Sequence, residues 1–420
     1  MQDADDTKGA AHAGHRHITP VPRVTMQVFC ETPGMAETID GAVKDRRMAK
    51  AHVKVHMGGG PAAVEAYRNA PTPNLIVIES QSPRETLIEQ LDELAQFCDS
   101  GTKVIVIGRV NDIILYRDLI SRGVSQYLVA PFDSMYFVQA VSELYSHPSA
   151  EPLGRLIAVV GGKGGVGSST IAHNLAWTVA RGMDLATVIV DMDLAFGTAG
   201  LDFNQDPPQG IAEAVFAPDR FDSNVLDRLL SRCSDRLNLL AAPATLDRTY
   251  DFAENSFENL LDVMRASVPL VVLDVPHLWT AWSRRVICSV DEVLIVAAPD
   301  LANLRNVKNI VDTLRAARPN DKKPKLVMNF VGVPKRPEIS IADFMRAVEL
   351  EPTAVIPFEP KLFGTAANNG QMIAEVEPAS KIAEAISDIG RAVTGRAEVK
   401  KVKRTILDPF IAKLSKKLAS

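Results

Sequence analysis

Short, fully apolar runs alternate along this chain with longer stretches in which apolar positions recur every three or four residues. Runs of the first kind, bounded by turn residues, predict strands buried on both faces; the helical period predicts helices lying over them. Up to residue 145 the pattern predicts strands at 24–30, 74–79 (NLIVIE), 103–108 (KVIVIG) and 123–129, and helices at 61–69, 82–99, 110–122 and 132–145. Two prolines and a glycine then interrupt it over 148–154. A second series predicts strands at 156–161, 186–191, 237–242, 270–274, 292–297, 325–329 and 354–357, with helices notably at 169–181, 257–266, 301–316 and 380–393. Strands alternating with helices at this pitch predict parallel sheets covered by helices, so the expected fold class is α/β in both halves. The expected organisation is a disordered tail (1–23), a first α/β domain (24–147), a linker (148–154), a larger α/β domain (155–395) and a C-terminal tail (396–420).

Composition narrows the function classes. With 420 residues, 46% hydrophobic and 23% charged, the chain has enough apolar side chains for two or three cores. A net charge of -5 argues against a whole-protein nucleic-acid binder. Cys30, Cys98, Cys233 and Cys288 lie far apart and form no CxxC pair, which disfavours a metal knuckle or a disulfide framework. No apolar run is long enough to cross a bilayer, and the N-terminus lacks the apolar core of a signal peptide, so a cytoplasmic location is expected. His12, His15 and His17 suit a solvated tail better than a metal site.

The chemistry concentrates at Lys163-Gly164-Gly165-Val166-Gly167-Ser168-Ser169-Thr170, between the predicted strand 156–161 and the predicted helix 169–181. A glycine-rich turn joining strand to helix lets consecutive backbone N–H groups and the helix N-terminus face a polyphosphate. Ser169 falls where a hydroxyl ligand of Mg²⁺ belongs, and Thr170 can add a phosphate contact. The position that holds lysine in GxxxxGK[ST] is Ser168, which removes the compact cation that ordinarily neutralises the β- and γ-phosphates. Two further strands end in acids: Asp191-Met192-Asp193 after one, Asp274 after another. Carboxylates so placed can hold Mg²⁺ through water or orient an attacking water, although a strand-end aspartate also caps turns.

With its lysine at the front of the loop, this segment resembles the deviant Walker ATPases of the MinD/ParA group, whose signature is KGGxGK[ST]. The resemblance covers residues 155–394 and implies a P-loop NTPase fold binding ATP or ADP with Mg²⁺. It implies that Lys163 reaches across an ATP-sandwiched homodimer, that Asp193 lies near the attacking water and Mg²⁺, and that Asp274 helps to hold the metal. It also implies that Asn329 and Pro357, the latter opening a segment that runs to Asn368-Asn369-Gly370, flank the base. His277, after the second acid, reads as a loop or packing histidine rather than a catalyst. The cysteines lack the setting of a nitrogenase-type iron protein, and Tyr250 is the last tyrosine, which disfavours a tyrosine kinase of this fold.

Residues 24–146 resemble a response-regulator receiver, a flavodoxin-like fold. The positions matching its acidic cluster, acceptor aspartate, hydroxyl residue and lysine are Glu31, Glu79, Gly108 and Ala130. Without the hydroxyl and the lysine, phosphoryl transfer loses its stabilising groups, leaving a module for interaction or localisation. A flavodoxin-like domain with no regulatory ancestry is the alternative. A silent receiver joined to KGGVGSST resembles the CpaE/TadZ family of pilus-assembly proteins. That resemblance implies a polar localisation factor for a tight-adherence (Flp, type IVc) pilus system, with slow hydrolysis and with the secretion ATPase and other assembly components as partners. An active ParA/MinD-type ATPase and a nucleotide-independent scaffold are the competing readings. The basic tail carries Ile406, Leu407, Phe410, Ile411, Leu414 and Leu418 at helical spacing among lysines. It suits an anionic inner-membrane surface or a partner, with docking on the core and nucleic acid as alternatives; no specific nucleic acid is expected.

Overall fold

The structure, a computed structural model, describes residues 18–99, 101–146, 153–246 and 248–395. The chain divides into two compact units, one comprising residues 1–152 with 318–322, the other 153–317 with 323–420.

In the first unit five strands, β1 (Thr25–Cys30), β2 (His52–Met57), β3 (Leu75–Glu79), β4 (Lys103–Gly108) and β5 (Gln126–Val129), form one sheet. Its order is β2-β1-β3-β4-β5 and every pairing is parallel, the flavodoxin-like arrangement of receivers. Helices Pro33–Val43 and Ser134–Tyr145 cover one face; Gly59–Tyr67, Arg84–Ala95 and Ile113–Ser121 cover the other. The helix Pro33–Val43 and strand β2 do not stand out in the sequence pattern. The helix starts on Thr32, whose hydroxyl accepts the Met35 N–H, with proline in its first turn, and it buries Met35, Ile39 and Ala42 at i, i+4 and i+7. Strand β2 is an edge strand, HVKVHM, with no fully buried position. Order begins earlier than expected: Val21 is buried and its N–H donates to the Arg47 carbonyl, so residues 18–23 are structured and only 1–17 of the expected tail lie outside the described residues.

The second unit has eight strands: β6 (Arg155–Gly161), β7 (Thr187–Asp191), β8 (Ser231–Arg232), β9 (Leu237–Leu240), β10 (Leu270–Val275), β11 (Glu292–Ala297), β12 (Lys325–Val331) and β13 (Pro352–Pro357). They are ordered β13-β12-β11-β6-β10-β7-β9-β8, all parallel except the two-residue edge strand β8. Strands β10 and β11 are buried along their whole length, as a sheet covered on both faces requires. On one face helix Ser168–Gly182 packs through Ile171, Leu175 and Val179 against Ile382, Ile386, Ile389 and Val393 of helix Lys381–Thr394. On the other, Glu258–Ser267, Ala281–Ser289 and Leu301–Ala317 bury Leu260, Met264, Val286, Ile287, Val307 and Val311. Strand β6 lies between β10 and β11. Ligands of open α/β sheets bind at the carboxyl ends of such central strands, and the glycine-rich loop leaves β6 at that end.

Candidate nucleotide site

The loop between β6 and helix Ser168–Gly182 is fixed from below by its own backbone. The Gly162 N–H donates to the Val296 carbonyl at 2.8 Å, and the Gly162 carbonyl accepts from Asn306 Nδ2 at 2.8 Å. His277 Nδ1 lies 2.9 Å from the Gly161 carbonyl, which it meets as a donor, so this histidine serves the loop base, in keeping with a packing role. Val166 is buried as the anchor of the turn. Gly165 and Gly167 have φ of 75° and 85°, left-handed values that glycine adopts without strain. The helix then begins at Ser168 with no side chain capping it, leaving its first N–H groups directed outward. Gly164, Gly165 and Lys163 are exposed, while Gly167, Ser168, Ser169 and Thr170 are half-buried. Ser168 is tucked toward the loop base: a Cβ built on Gly161 would lie 3.1 Å from its Oγ.

Behind the loop, the strand-end acids converge. Asp191 and Asp274 are register partners on β7 and β10, and both are buried. Asp191 accepts the Asp193 N–H at 3.1 Å and the Ala199 N–H at 3.0 Å, which closes the segment following β7 around its carboxylate. Burial, and next the neighbouring charge of Asp274, push the Asp191 carboxyl up to about 7. Asp193 is half-buried and its Oδ1 accepts the Phe196 N–H at 3.0 Å, so in this conformation it caps its own turn.

One residue of this cluster escaped the sequence reading. His173, on the buried face of the helix after the loop, sits between Asp202 and Asp274. Its Nδ1 donates to Asp202 Oδ2 at 2.6 Å, and its Nε2 lies 3.4 Å from Asp274 Oδ2, an ion-pair distance without hydrogen-bond alignment. Burial alone would lower the imidazole pKa, but the two carboxylates outweigh it and hold it up at about 10.

The expected base-flanking residues lie at the ends of β12 and β13. Asn329 is buried, and its Nδ2 donates to the Val166 carbonyl at 2.9 Å while its Oδ1 has no hydrogen-bond partner among the described residues. The asparagine thus braces the glycine loop: a Cβ on Gly167 would fall 2.7 Å from its Nδ2. Phe330, which the sequence reading also passed over, has a φ of 53° and stands edge-on to Phe358 with centroids 6.1 Å apart. A left-handed conformation in a bulky residue marks a constrained segment. Pro357 is exposed beside it, in register with Val331.

In the first unit the acceptor position is filled. Glu79 is buried, and its Oε2 accepts the N–H groups of Glu31 and Thr32, each at 2.8 Å, while its Oε1 accepts the Thr32 hydroxyl at 2.7 Å. A Cβ on Gly108 would meet Tyr127 Oη at 2.2 Å, so the phenol occupies the space where a hydroxyl residue would stand; Tyr127 in turn donates to the Val110 carbonyl.

The chain resembles known proteins in both of its parts. A family model described as an AAA domain matches residues 154–328. The septum site-determining protein MinD of Synechocystis sp. is 26% identical over 255 residues, 58% of this chain and 91% of that protein. The cell division ATPase MinD of Pyrococcus furiosus covers 58% of this chain and 100% of its own at 22% identity, with a TM-score of 0.52, and shows the fold. The N-terminal part of the chain is similar to the pilus assembly protein CpaE from Caulobacter crescentus, 45% identical over 31% of this chain and 100% of that one, with a TM-score of 0.30. Together with the deviant P-loop, these similarities place the chain among the CpaE-like proteins of the MinD/ParA ATPase family.

Proposed function

We propose that this chain binds ATP with Mg²⁺, dimerises in that state and serves as a localisation factor in pilus assembly, positioning the machinery at the cell pole with slow hydrolysis. The observation that carries the reading is the loop of residues 161–167: an uncapped helix N-terminus and two left-handed glycines beside paired acids, with Ser168 where a cation is expected. The backbone N–H groups cradle the phosphates, and Thr170 adds a contact. Among the described residues, no three His, Cys, Asp or Glu converge to hold a metal by themselves. Mg²⁺ binds through one or two carboxylates together with substrate phosphates. Ser169 and Asp274 would hold the ion, bound Mg²⁺ would neutralise phosphate charge, and Asp193 would swing from its turn to orient water. Asn329 and Pro357 would flank the base.

Dimerisation supplies what the single loop lacks. Lys163 is exposed and pairs with none of the described residues, leaving it available to a partner's nucleotide. Phe196, Leu201, Leu278 and Trp279 are exposed on the segments that follow the two acids, apolar surface of the kind that contacts bury. The pilus role follows from the likeness to CpaE, with the secretion ATPase and other assembly components as partners. Among the described residues no helix is long and apolar enough to cross a membrane; attachment to an anionic inner-membrane surface would fall to residues 396–420, which lie outside the described residues.

The test is sedimentation of wild type and Lys163→Ala with and without Mg-ATP, alongside ATP turnover. Wild type should dimerise only with Mg-ATP and turn over slowly, and Lys163→Ala should stay monomeric. A monomer–dimer balance unchanged across all four conditions overturns the switch, and fast turnover without a partner favours an active ParA/MinD-type enzyme.

A further inference from the structure

Asp191 and Asp274 are register partners at the ends of β7 and β10, Asp193 follows the first of them, and the proposed function gives roles to Asp193 and Asp274. The imidazole of His173 is fully buried beneath that group, one helical turn after Ser169, and no step above employs it. Its two nitrogens face two different carboxylates. Nε2 faces Asp274 Oδ2 at 3.4 Å, and Nδ1 donates to Asp202 Oδ2 at 2.6 Å. Asp202 closes the short helix Ala199–Asp202, whose first residue is held by Asp191 through its N–H. Phe203 packs tilted against the imidazole, centroids 5.6 Å apart, which restricts the ring.

An imidazole that serves only to fill space does not need a carboxylate at each nitrogen, and a buried carboxylate such as Asp274 needs its orientation fixed to receive a hard ion. We propose that His173 is a positioning residue: held by Asp202, it sets the orientation of the Asp274 carboxylate toward Mg²⁺. This inference rests on the reading of Asp274 as a metal-holding acid. Groups one step removed from a metal orient its ligands, and their loss typically weakens metal affinity about 10- to 100-fold. Asp202 should matter for the same reason, although its side chain is 23% exposed and lies beyond the imidazole from Asp274.

The experiment is calorimetric titration of the full chain with a non-hydrolysable ATP analogue, in EDTA and across a Mg²⁺ series, for wild type, His173→Gln and Asp202→Asn. In EDTA the three proteins should bind the analogue alike. The Mg²⁺ concentration giving half-maximal tightening should rise about tenfold in each variant. An equal loss with and without Mg²⁺ would mark a packing role and overturn the proposal, and so would an unchanged Mg²⁺ dependence. If thermal melting shows that His173→Gln does not fold, Asp202→Asn decides alone, since its partly exposed position tolerates the change. A wild type whose binding does not respond to Mg²⁺ sinks the metal reading and this inference together; a responding wild type with unresponsive variants sinks the inference only.

Discussion

Replacing Glu79 tests whether the hydrogen bonds that fill the receiver's acceptor position also tie β3 to the helix that follows β1. The carboxylate takes three hydrogen bonds, two from backbone N–H groups and one from a hydroxyl, all onto the N-terminus of helix Pro33–Val43. Bonds to a charged acceptor contribute about 1.5–3 kcal/mol each, and a carboxylate at a helix N-terminus gains a further fraction from the helix dipole. Glu79→Ala removes all three and leaves the Glu31 and Thr32 N–H groups to compete for water that reaches a half-buried site. Allowing for that partial replacement, the loss should be about 3 kcal/mol. Glu79→Gln keeps one carbonyl oxygen for the two N–H groups and turns its amide toward the Thr32 hydroxyl, which can accept. Its cost should be about 1 kcal/mol, the charge-assisted part alone.

Hydrogen exchange on the full chain separates the two variants without isolating the unit. Amides of β1, β3 and the following helix that exchange by opening of the whole unit should speed up about a hundredfold in Glu79→Ala and about fivefold in Glu79→Gln. Amides of the second unit should be unaffected. If alanine costs no more than glutamine, the carboxylate is not what ties β3 to the helix, and the account of the filled site fails. A small phosphodonor should likewise leave no acyl-phosphate on the wild-type unit by mass spectrometry; a labelled Glu79 contradicts it equally.

Ser168→Lys should tighten ATP binding about tenfold or more, the worth of one charge-assisted contact to phosphate, and an unchanged calorimetric affinity would mean that the missing cation is immaterial. Gly197→Ala should lower the stability of the second unit by about 1–3 kcal/mol, because the added Cβ would stand 2.3 Å from Asp191 Oδ2 and that carboxylate is held by two N–H bonds; an unshifted melting transition refutes this. Cys30 and Cys233, whose thiols burial pushes up to about 12, should resist alkylation in the folded protein at pH 8, where about one part in ten thousand is thiolate; rapid labelling would show that they are not sheltered.

The sequence made legible what is periodic or covalently local. Apolar runs such as 104–107 and 293–297 fill the strands Lys103–Gly108 and Glu292–Ala297 because a strand covered on both faces is apolar along its interior. Strand β2 was hidden because an edge strand with one mostly exposed face has no such run, and β8 because two residues have no period at all. The glycine loop was legible because its geometry is set by consecutive residues. Asn329 is the converse: its position at a strand end was visible, but that its amide turns back to the Val166 carbonyl, 163 residues away in sequence, depends on the parallel order of β6, β11 and β12.

His173 marks the limit most sharply. In sequence it is a lone histidine in an apolar helix, ordinarily a packed core residue, and nothing local separates it from Asn174, which donates to the Thr170 carbonyl and accepts the Ile373 N–H. What distinguishes it is that β7 and β10 are neighbours, so the segment leaving β7 carries Asp202 to one nitrogen of an imidazole whose other nitrogen faces Asp274 of β10. A polar residue pressed into a core must find partners there or lose stability, so each such residue records which distant segments the fold brings together. Here the record runs from the helix behind the phosphate loop, through one ring, to an acid at a strand end and an acid on the exposed segment bearing Leu201. The Mg²⁺ dependence of His173→Gln therefore reads whether this ring fixes the acid at the strand end or only fills the core.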